Sequence, residues 1–304
     1  MRFLSPRISL RQMQYALAVA REKNFRRAAE LCFVSQPSLS MQIAEMEKAL
    51  EVKLFERNRR EVRVTREGRL LLERMRVMLV EYEDLLELAR QHHDPLSGSL
   101  RLGMIPTMCP YLLPDLVPSL RQSFPELSLY WQEDKTEELV RLIHDGELDA
   151  GVLALESDIG GLEYESFGED SFVLATPPGH PLSQETTPVS VEVLQGEEVH
   201  LLEDGHCFRE QAFNLCQLAD ARPHSLRASS LSTLVQMVLA GSGCTILPEL
   251  AVEVENRRDA LHIRPFTSPS PKRTLILAWR STSPYQESLR CLSKAAGKAL
   301  EKKQ

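Results

Sequence analysis

"FRRAAELCFVSQPSLSMQIAEMEKALEVKLFERNRREVRVTREG", residues 25–68, decides how the chain begins to fold. Phe25 to Leu31 reads as a short helix, with Ala28 and Ala29 small enough for close packing. "CFVSQ" is a tight turn. Ser35 suits the N-cap of a following helix, and Pro37 falls in its first turn, where a missing N–H costs little. Leu39, Ile43, Met46 and Leu50 give that helix one buried face, leaving Ser38, Ser40, Gln42 and Glu45 outside. Two short helices across a tight turn make a helix-turn-helix, whose second helix enters a DNA major groove. Gln36, Ser38 and Gln42, around Pro37, are the candidates to reach base edges. "RNRREVRVT" alternates basic and apolar residues and reads as a hairpin wing, placing Arg59, Arg60 and Arg63 on phosphates.

The regions on either side fit a polyanion-binding head. Leu10, Met13, Leu17 and Ala20 recur at helical spacing and predict a helix before the motif. The 304-residue chain has a formal charge of -7, but residues 1–66 carry 14 Lys/Arg against 7 Asp/Glu, a net +7 on an acidic body. After Gly68 the chain runs without Gly or Pro to residue 93. There Leu71, Met75, Met78, Tyr82, Leu85 and Ala89 keep a heptad spacing that wants a partner helix. "HHDPLSGS" ends this helix as a hinge.

The remainder alternates strand and helix signals, which implies an α/β body. "SLRLGMIP", "LSLYWQ", "AGVLAL", "SFVLAT", "EEVHLL", "CTILP" and "RTLILAWR" read as strands. Helices fall within Tyr111 to Phe124, over Thr136 to His144, after Cys207, over Leu231 to Ala240 and from Pro284. No Gly-rich phosphate loop or hydrolase elbow interrupts them. Neither a membrane-length apolar run nor a signal peptide is present, so a cytoplasmic, reducing setting is expected. Such a setting disfavours permanent disulfides. The six cysteines, at 32, 109, 207, 216, 244 and 291, include no CxxC pair, so neither a metal site nor a cofactor is expected.

"LEDGHCFREQAFNLCQ", residues 202–217, sets two of these cysteines nine positions apart. Asp204-Gly205 is a turn, and Cys207 stands at or near a helix start, where an anion is favoured. His206 and Arg209 add donors, and Arg209 a fixed positive charge. Spacing alone leaves two readings open: reactive thiols, or the small buried hydrophobes that free cysteines usually are.

Residues 25–68 resemble the winged helix-turn-helix of LysR-type transcriptional regulators, with the order of elements complete. "GMIPTMCPYLLPDLVPSLRQSFPEL", the Cys207 segment, "RASSLSTLVQMVLAGSGCTILPELAV" and "PKRTLILAWR" are similar to the peroxide-sensing members of that family. The resemblance implies an α/β protein of three parts. These are a winged helix-turn-helix (1–66), a linker helix that pairs two subunits (67–93), and a periplasmic-binding-protein-like sensor (98–304). In the sensor the chain would cross twice between two subdomains, near Gly168 and Pro271, giving subdomain I at about 98–168 and 272–304 and subdomain II at about 169–271. Promoter DNA, hydrogen peroxide, a dimer or tetramer of the chain, a cellular thiol reductant and RNA polymerase are the implied partners, with no membrane. Cys207 would be the peroxidatic thiol, oxidised to sulfenic acid, and Cys216 the resolving one. Thr107, Thr136 and Arg273 match positions that approach the peroxide or the thiolate. Cys109 and Cys244 depart from the pattern.

Two other classes compete. A regulator binding a metabolite between subdomains would use hydroxyls such as Thr107 and Ser230, but has no need of nine-spaced cysteines. A thiol peroxidase has no use for a DNA-reading head, so an enzyme is not expected. One geometric expectation follows for the cysteine pair. Nine helical steps turn about 900° and rise roughly 13 Å. A disulfide needs Cα atoms within about 7 Å, so a helical 207–216 segment must refold to form one.

Overall fold

The computed structural model describes residues 8–57, 62–90, 98–241 and 243–301. The chain divides into two compact units, Met1–His92 and His93–Gln304.

In the first unit, α1 (Leu10–Glu22), α2 (Phe25–Leu31) and α3 (Gln36–Leu50) pack on one another, and α4 (Arg66–Arg90) packs on α1. Local chemistry sets each start. Ser9 and Gln12 form a reciprocal capping box on α1, Asn24 Oδ1 accepts from the Arg26 and Arg27 amides, and Ser35 Oγ accepts from the Ser38 amide at 3.4 Å. Leu39, Ile43 and Met46 are fully buried, with Ala16, Val19 and Ala28 packed in the same core. The buried face of α1 runs through Met13, Ala16 and Val19; Leu10, Leu17 and Ala20 only flank it, because α1 packs on three neighbours rather than one. The wing forms as predicted from β1 (Phe55–Arg57) and β2 (Val62–Val64), antiparallel with Phe55 opposite Val64. Arg63 is exposed on β2, while Arg59 and Arg60 lie outside the described residues. Glu47, buried at the end of α3, accepts from the Leu54 amide at 2.9 Å, the Phe55 amide at 3.2 Å and Lys53 Nζ at 2.9 Å, tying α3 to the wing. Gly68 brings α4 against β1 so closely that a Cβ there would stand 2.5 Å from the Leu54 carbonyl oxygen.

The heptad seam of α4 divides. Met75, with Leu72 and Leu79, is buried in the head's own core, and Leu71 packs against that core. Met78, Tyr82 and Leu85 are exposed by 52%, 38% and 62%, beside exposed Val77 and Leu86. A helix leaving the head buries the seam residues of its first turns there and frees those further along. The side chain of Ala89 and most of the hinge (91–97) lie outside the described residues.

The second unit is built on a 9-stranded sheet. Its strands are β3 (Gly98–Met104), β4 (Leu127–Glu133), β5 (Ala150–Ala154), β6 (Glu163–Thr176), β7 (Glu198–Leu202), β8 (Arg222–Ala228), β9 (Cys244–Pro248), β10 (His262–Pro265) and β11 (Lys272–Trp279). The order is β4-β3-β5-β11-β6-β9-β7-β8, with β10 also on β6. β3 runs parallel to β4 and β5, and β7 parallel to β8 and β9. β11 and β6 run antiparallel to their neighbours, so the sheet is mixed rather than wholly parallel. β6 pairs with β11 as far as Ser171 and with β9 from Phe172 onward, handing the sheet from one group of strands to the other. Predicted only over "SFVLAT", it begins at Glu163, because its first half is polar, half-exposed and kinked by a register shift beside Gly168. β8, β10 and the helix α9 (Glu249–Glu255) went unpredicted. β8 is an exposed edge strand containing Pro223, and the other two are short. The remaining helices are α5 (Cys109–Ser123), α6 (Thr136–His144), α7 (Cys207–Leu218), α8 (Leu231–Leu239) and α10 (Gln286–Glu301), the last two residues later than predicted.

Candidate functional site

Strands from the two parallel groups deliver the predicted residues from their carboxyl ends, where open α/β sheets gather function. Thr107 follows β3, Thr136 opens α6 after β4, and Cys207 opens α7 after β7. Arg273 reaches the same region from β11 and is completely buried. Its Nε donates to Asp170 Oδ2 at 2.9 Å, and its Nη2 lies 2.8 Å from the same oxygen in an ion pair. Its Nη1 donates to Thr107 Oγ1 at 2.8 Å and its Nη2 to the Thr107 carbonyl at 2.9 Å. The guanidinium carbon also sits 5.7 Å from the centre of the Phe208 ring. One cation thus joins the turn after β3, the crossing strand β6 and the residue next to Cys207.

A second bridge binds the start of α6 to the loop before Cys207. Lys135 Nζ donates to Glu203 Oε1 at 3.0 Å and to the Asp204 carbonyl at 2.9 Å. Lys135 holds the Glu203 carboxyl below the usual carboxylate range. Gly205, at φ +90°, leaves room for this lysine: a Cβ would stand 2.9 Å from Lys135 Cδ. Arg209 turns toward the same loop, with Nη2 3.0 Å from Asp204 Oδ1 and its guanidinium over the Phe213 ring. The fixed positive charge expected at Arg209 is thus paired with Asp204.

The polar atoms left over define the site. Thr136 Oγ1, His206 Nε2, Arg209 Nε and both amide atoms of Gln211 are buried without a hydrogen-bond partner. Such groups are costly unless something small and polar meets them. His206 holds the N-cap position of α7 but makes no side-chain cap bond. Burial, and next the Lys135 charge, lower its pKa, opposed in part by Glu203 and a hydrogen bond to the Ser229 backbone. A neutral imidazole donating to that carbonyl keeps a lone pair on Nε2. Gln211 was missed in the sequence. Its signal was position: four residues after Cys207, it falls on the same helical face. Asp170, Phe208 and Lys135 carried no signal before the strands were assembled.

The cysteines differ sharply. Cys207 is the first residue of α7 and is partly exposed. Cys216 lies on the same unbroken helix and is fully buried, its thiol pushed up to about 11 by burial. Cys244, at the start of β9, is equally buried. Cys109 opens α5, its thiol pushed up to about 12 by burial and then by Glu133. The hydroxyls offered to a carboxylate ligand are already used: Ser230 caps α8 by accepting from the Thr233 amide, and Thr107 accepts from Arg273. In the head, Gln36 and Pro37 are exposed at the start of α3, while Ser38, Ser40 and Gln42 are half-buried rather than outside. Among the described residues no helix is long and apolar enough to cross a membrane.

Comparison with known proteins matches residues 10–69 to the bacterial regulatory helix-turn-helix protein, lysR family, and residues 93–301 to the LysR substrate binding domain. The DNA-binding transcriptional dual regulator OxyR of Escherichia coli K12 is 41% identical over 290 residues, covering 95% of this chain and 94% of that protein. The hydrogen peroxide-inducible genes activator of Haemophilus influenzae is 38% identical, covering 92% of this chain and 93% of that protein. A full-length OxyR variant from Pseudomonas aeruginosa superposes with a TM-score of 0.77 at 31% identity, covering 96% of this chain and 95% of that one. The chain therefore belongs to the LysR family of transcriptional regulators, and it resembles OxyR over nearly its whole length.

Proposed function

We propose that the chain is a cytoplasmic, DNA-binding transcriptional regulator that senses hydrogen peroxide through Cys207 and is not an enzyme. The observation that carries the reading is the set of buried, unpartnered polar atoms of His206 and Gln211 beside Cys207 on α7, and of Thr136, next to the Lys135 that bridges to the loop before Cys207. A peroxide molecule offers donors and acceptors to such atoms, and the helix N-terminus favours the anionic thiolate that attacks it. The Cys207 sulfur displaces hydroxide from the peroxide: the S–O bond forms and the O–O bond breaks. A proton carried off the thiol by the His206 Nε2 lone pair converts the leaving hydroxide to water. The Cys216 thiol then attacks the sulfenic sulfur, an S–S bond replaces S–O, and a second water leaves. Thr107 and Arg273 position the pocket, and Arg209 orders the loop before it.

Because Cys216 is buried on the same helix, closing the bond requires α7 to unwind. Refolding of that surface is the signal passed to the DNA heads. Gln36, Pro37, Ser38 and Gln42 read the promoter, while Arg59, Arg60 and Arg63 hold phosphates. The reading keeps the head at 1–66, the linker at 67–93 and a sensor at 98–304 crossing near Gly168 and Pro271. The exposed Met78, Tyr82 and Leu85 pair subunits into a dimer and then a tetramer. RNA polymerase and a cellular thiol reductant complete the cycle.

The test is thiol titration before and after one equivalent of peroxide. Wild type should lose two thiols per chain, Cys216→Ser should lose one, and Cys207→Ser should lose none while still binding DNA. A Cys207→Ser protein that still responds to peroxide sinks the proposal.

A further inference from the structure

Cys244 is a buried nucleophile that the proposed cycle does not use, and the fold brings it into the same buried core as Cys216. Two backbone hydrogen bonds and one strand pairing connect their backbones. The Cys216 carbonyl, in the last turn of α7, accepts from the Ala221 amide at 2.9 Å. The next residue, Arg222, donates its amide to the Glu197 carbonyl at 2.8 Å, tying the start of β8 to the start of β7. Two residues on, Val199 of β7 stands in register with Cys244 of β9. The approach is close. Gly243, just before Cys244, would place a Cβ 2.2 Å from the Glu198 carbonyl oxygen, so only glycine lets β9 begin there. Both cysteines are fully buried in one hydrophobic cluster. Charge on Cys216 contributes to raising the Cys244 thiol, after burial and Glu197. Cys244 has no surface in contact with solvent, so a neighbouring sulfur is its most direct source of oxidising equivalents.

We infer that Cys244 is a second disulfide partner for Cys216, and that the bond first made with Cys207 passes inward to it. The inference rests on the peroxide reading above. Once α7 has unwound to join Cys207 and Cys216, the Cys244 sulfur attacks the Cys216 sulfur. The Cys216–Cys244 bond forms and the Cys207–Cys216 bond breaks. Cys207 leaves as thiolate and takes up the proton lost by Cys244. Exchange consumes no oxidant beyond the first peroxide. Its product is a chain that stores one disulfide in the core and has Cys207 free to react again. A second peroxide then converts Cys207 to sulfenic acid, with water leaving and no thiol at hand to resolve it.

Peptide mapping tests this on the full-length protein. Cleavage after Arg209 and Arg227 puts Cys207, Cys216 and Cys244 on three separate tryptic peptides. After one equivalent of peroxide, the chain is quenched in denaturant at successive times so that every free thiol is alkylated, and disulfide-linked peptides are identified by mass spectrometry. The expected result is early Cys207–Cys216 linkage giving way to Cys216–Cys244 linkage, with Cys207 becoming alkylatable again. A second equivalent should then yield a dimedone adduct on Cys207 in wild type and none in Cys244→Val. A Cys207–Cys216 linkage that persists while Cys244 stays fully alkylatable overturns the inference and leaves the peroxide reading intact. If Cys207 is never oxidised, the peroxide reading itself fails. If Cys216–Cys244 forms in Cys207→Ser, the bond does not come from exchange and the inference is wrong.

Discussion

Helices α3 and α7 are of similar length but are finished differently. α3 is capped at its start by Ser35, and its buried Glu47 carboxylate ties it to the wing through two backbone amides and a lysine. α7 opens with no side-chain cap bond, and His206, Arg209 and Gln211, in or beside its first turns, carry unpartnered buried atoms. A helix that must present the same face to DNA each time gains from satisfied ends. A helix whose proposed task is to unwind after one covalent event gains from ends that cost little to release. Around α7 the firm elements lie outside the helix, in the Arg273–Asp170 pair and the Lys135 bridge.

That contrast can be broken at several points. The largest effect should come from Arg273→Met, which strips Asp170 of its cation in a fully buried setting. Loss of one partner of a buried pair costs about 3–5 kcal/mol, so urea unfolding of the sensor unit should shift by that amount. A change below about 1 kcal/mol would mean that Asp170 finds other partners. Next, amide exchange should separate the two helices on oxidation. Residues 207–218 should lose protection by about 100-fold, roughly 2.8 kcal/mol, with the α3 amides changing far less. Equal protection before and after a disulfide proven by mass spectrometry would remove the unwinding step.

A smaller effect tests the closed end of α3. Ser35→Ala should cost about 1 kcal/mol of head stability, read by thermal melting. Its DNA affinity should fall in proportion to the unfolded fraction. The smallest effect is electrostatic. The Cys216 thiol has an ordinary value of 9.0 and is pushed up to about 11 in the fold, so the folded chain holds its proton more tightly than the unfolded one. That contribution is fully present below pH 9 and is lost as pH rises toward 11. Under reducing conditions Cys216→Ala should therefore flatten the alkaline decline of the melting temperature. An unchanged slope would assign the decline to Cys109 and Cys244, whose thiols are also raised by burial.

Much of this molecule was legible before any coordinates. Capping chemistry and apolar spacing are local, so α3 could be bounded from Ser35 and the Leu39-Ile43-Met46 face, and the wing from its alternation. The start of α7 was readable from the local Asp204-Gly205 turn, and with it the mismatch between nine helical steps and a disulfide's reach. Tertiary structure decided what depends on partners distant in sequence. β8 and the first half of β6 are strands because neighbours supply their hydrogen bonds, not because their side chains alternate. The α4 seam splits between core and surface because the head covers only its first turns. Arg273 is held by Asp170 and Thr107, 103 and 166 residues away in sequence, and Cys244 stands near Cys216 only once β7 lies between β8 and β9. The physical reason is the same in each case: a residue's own turn sets its backbone, but its burial and its charge partners are set by whichever strand the sheet brings alongside.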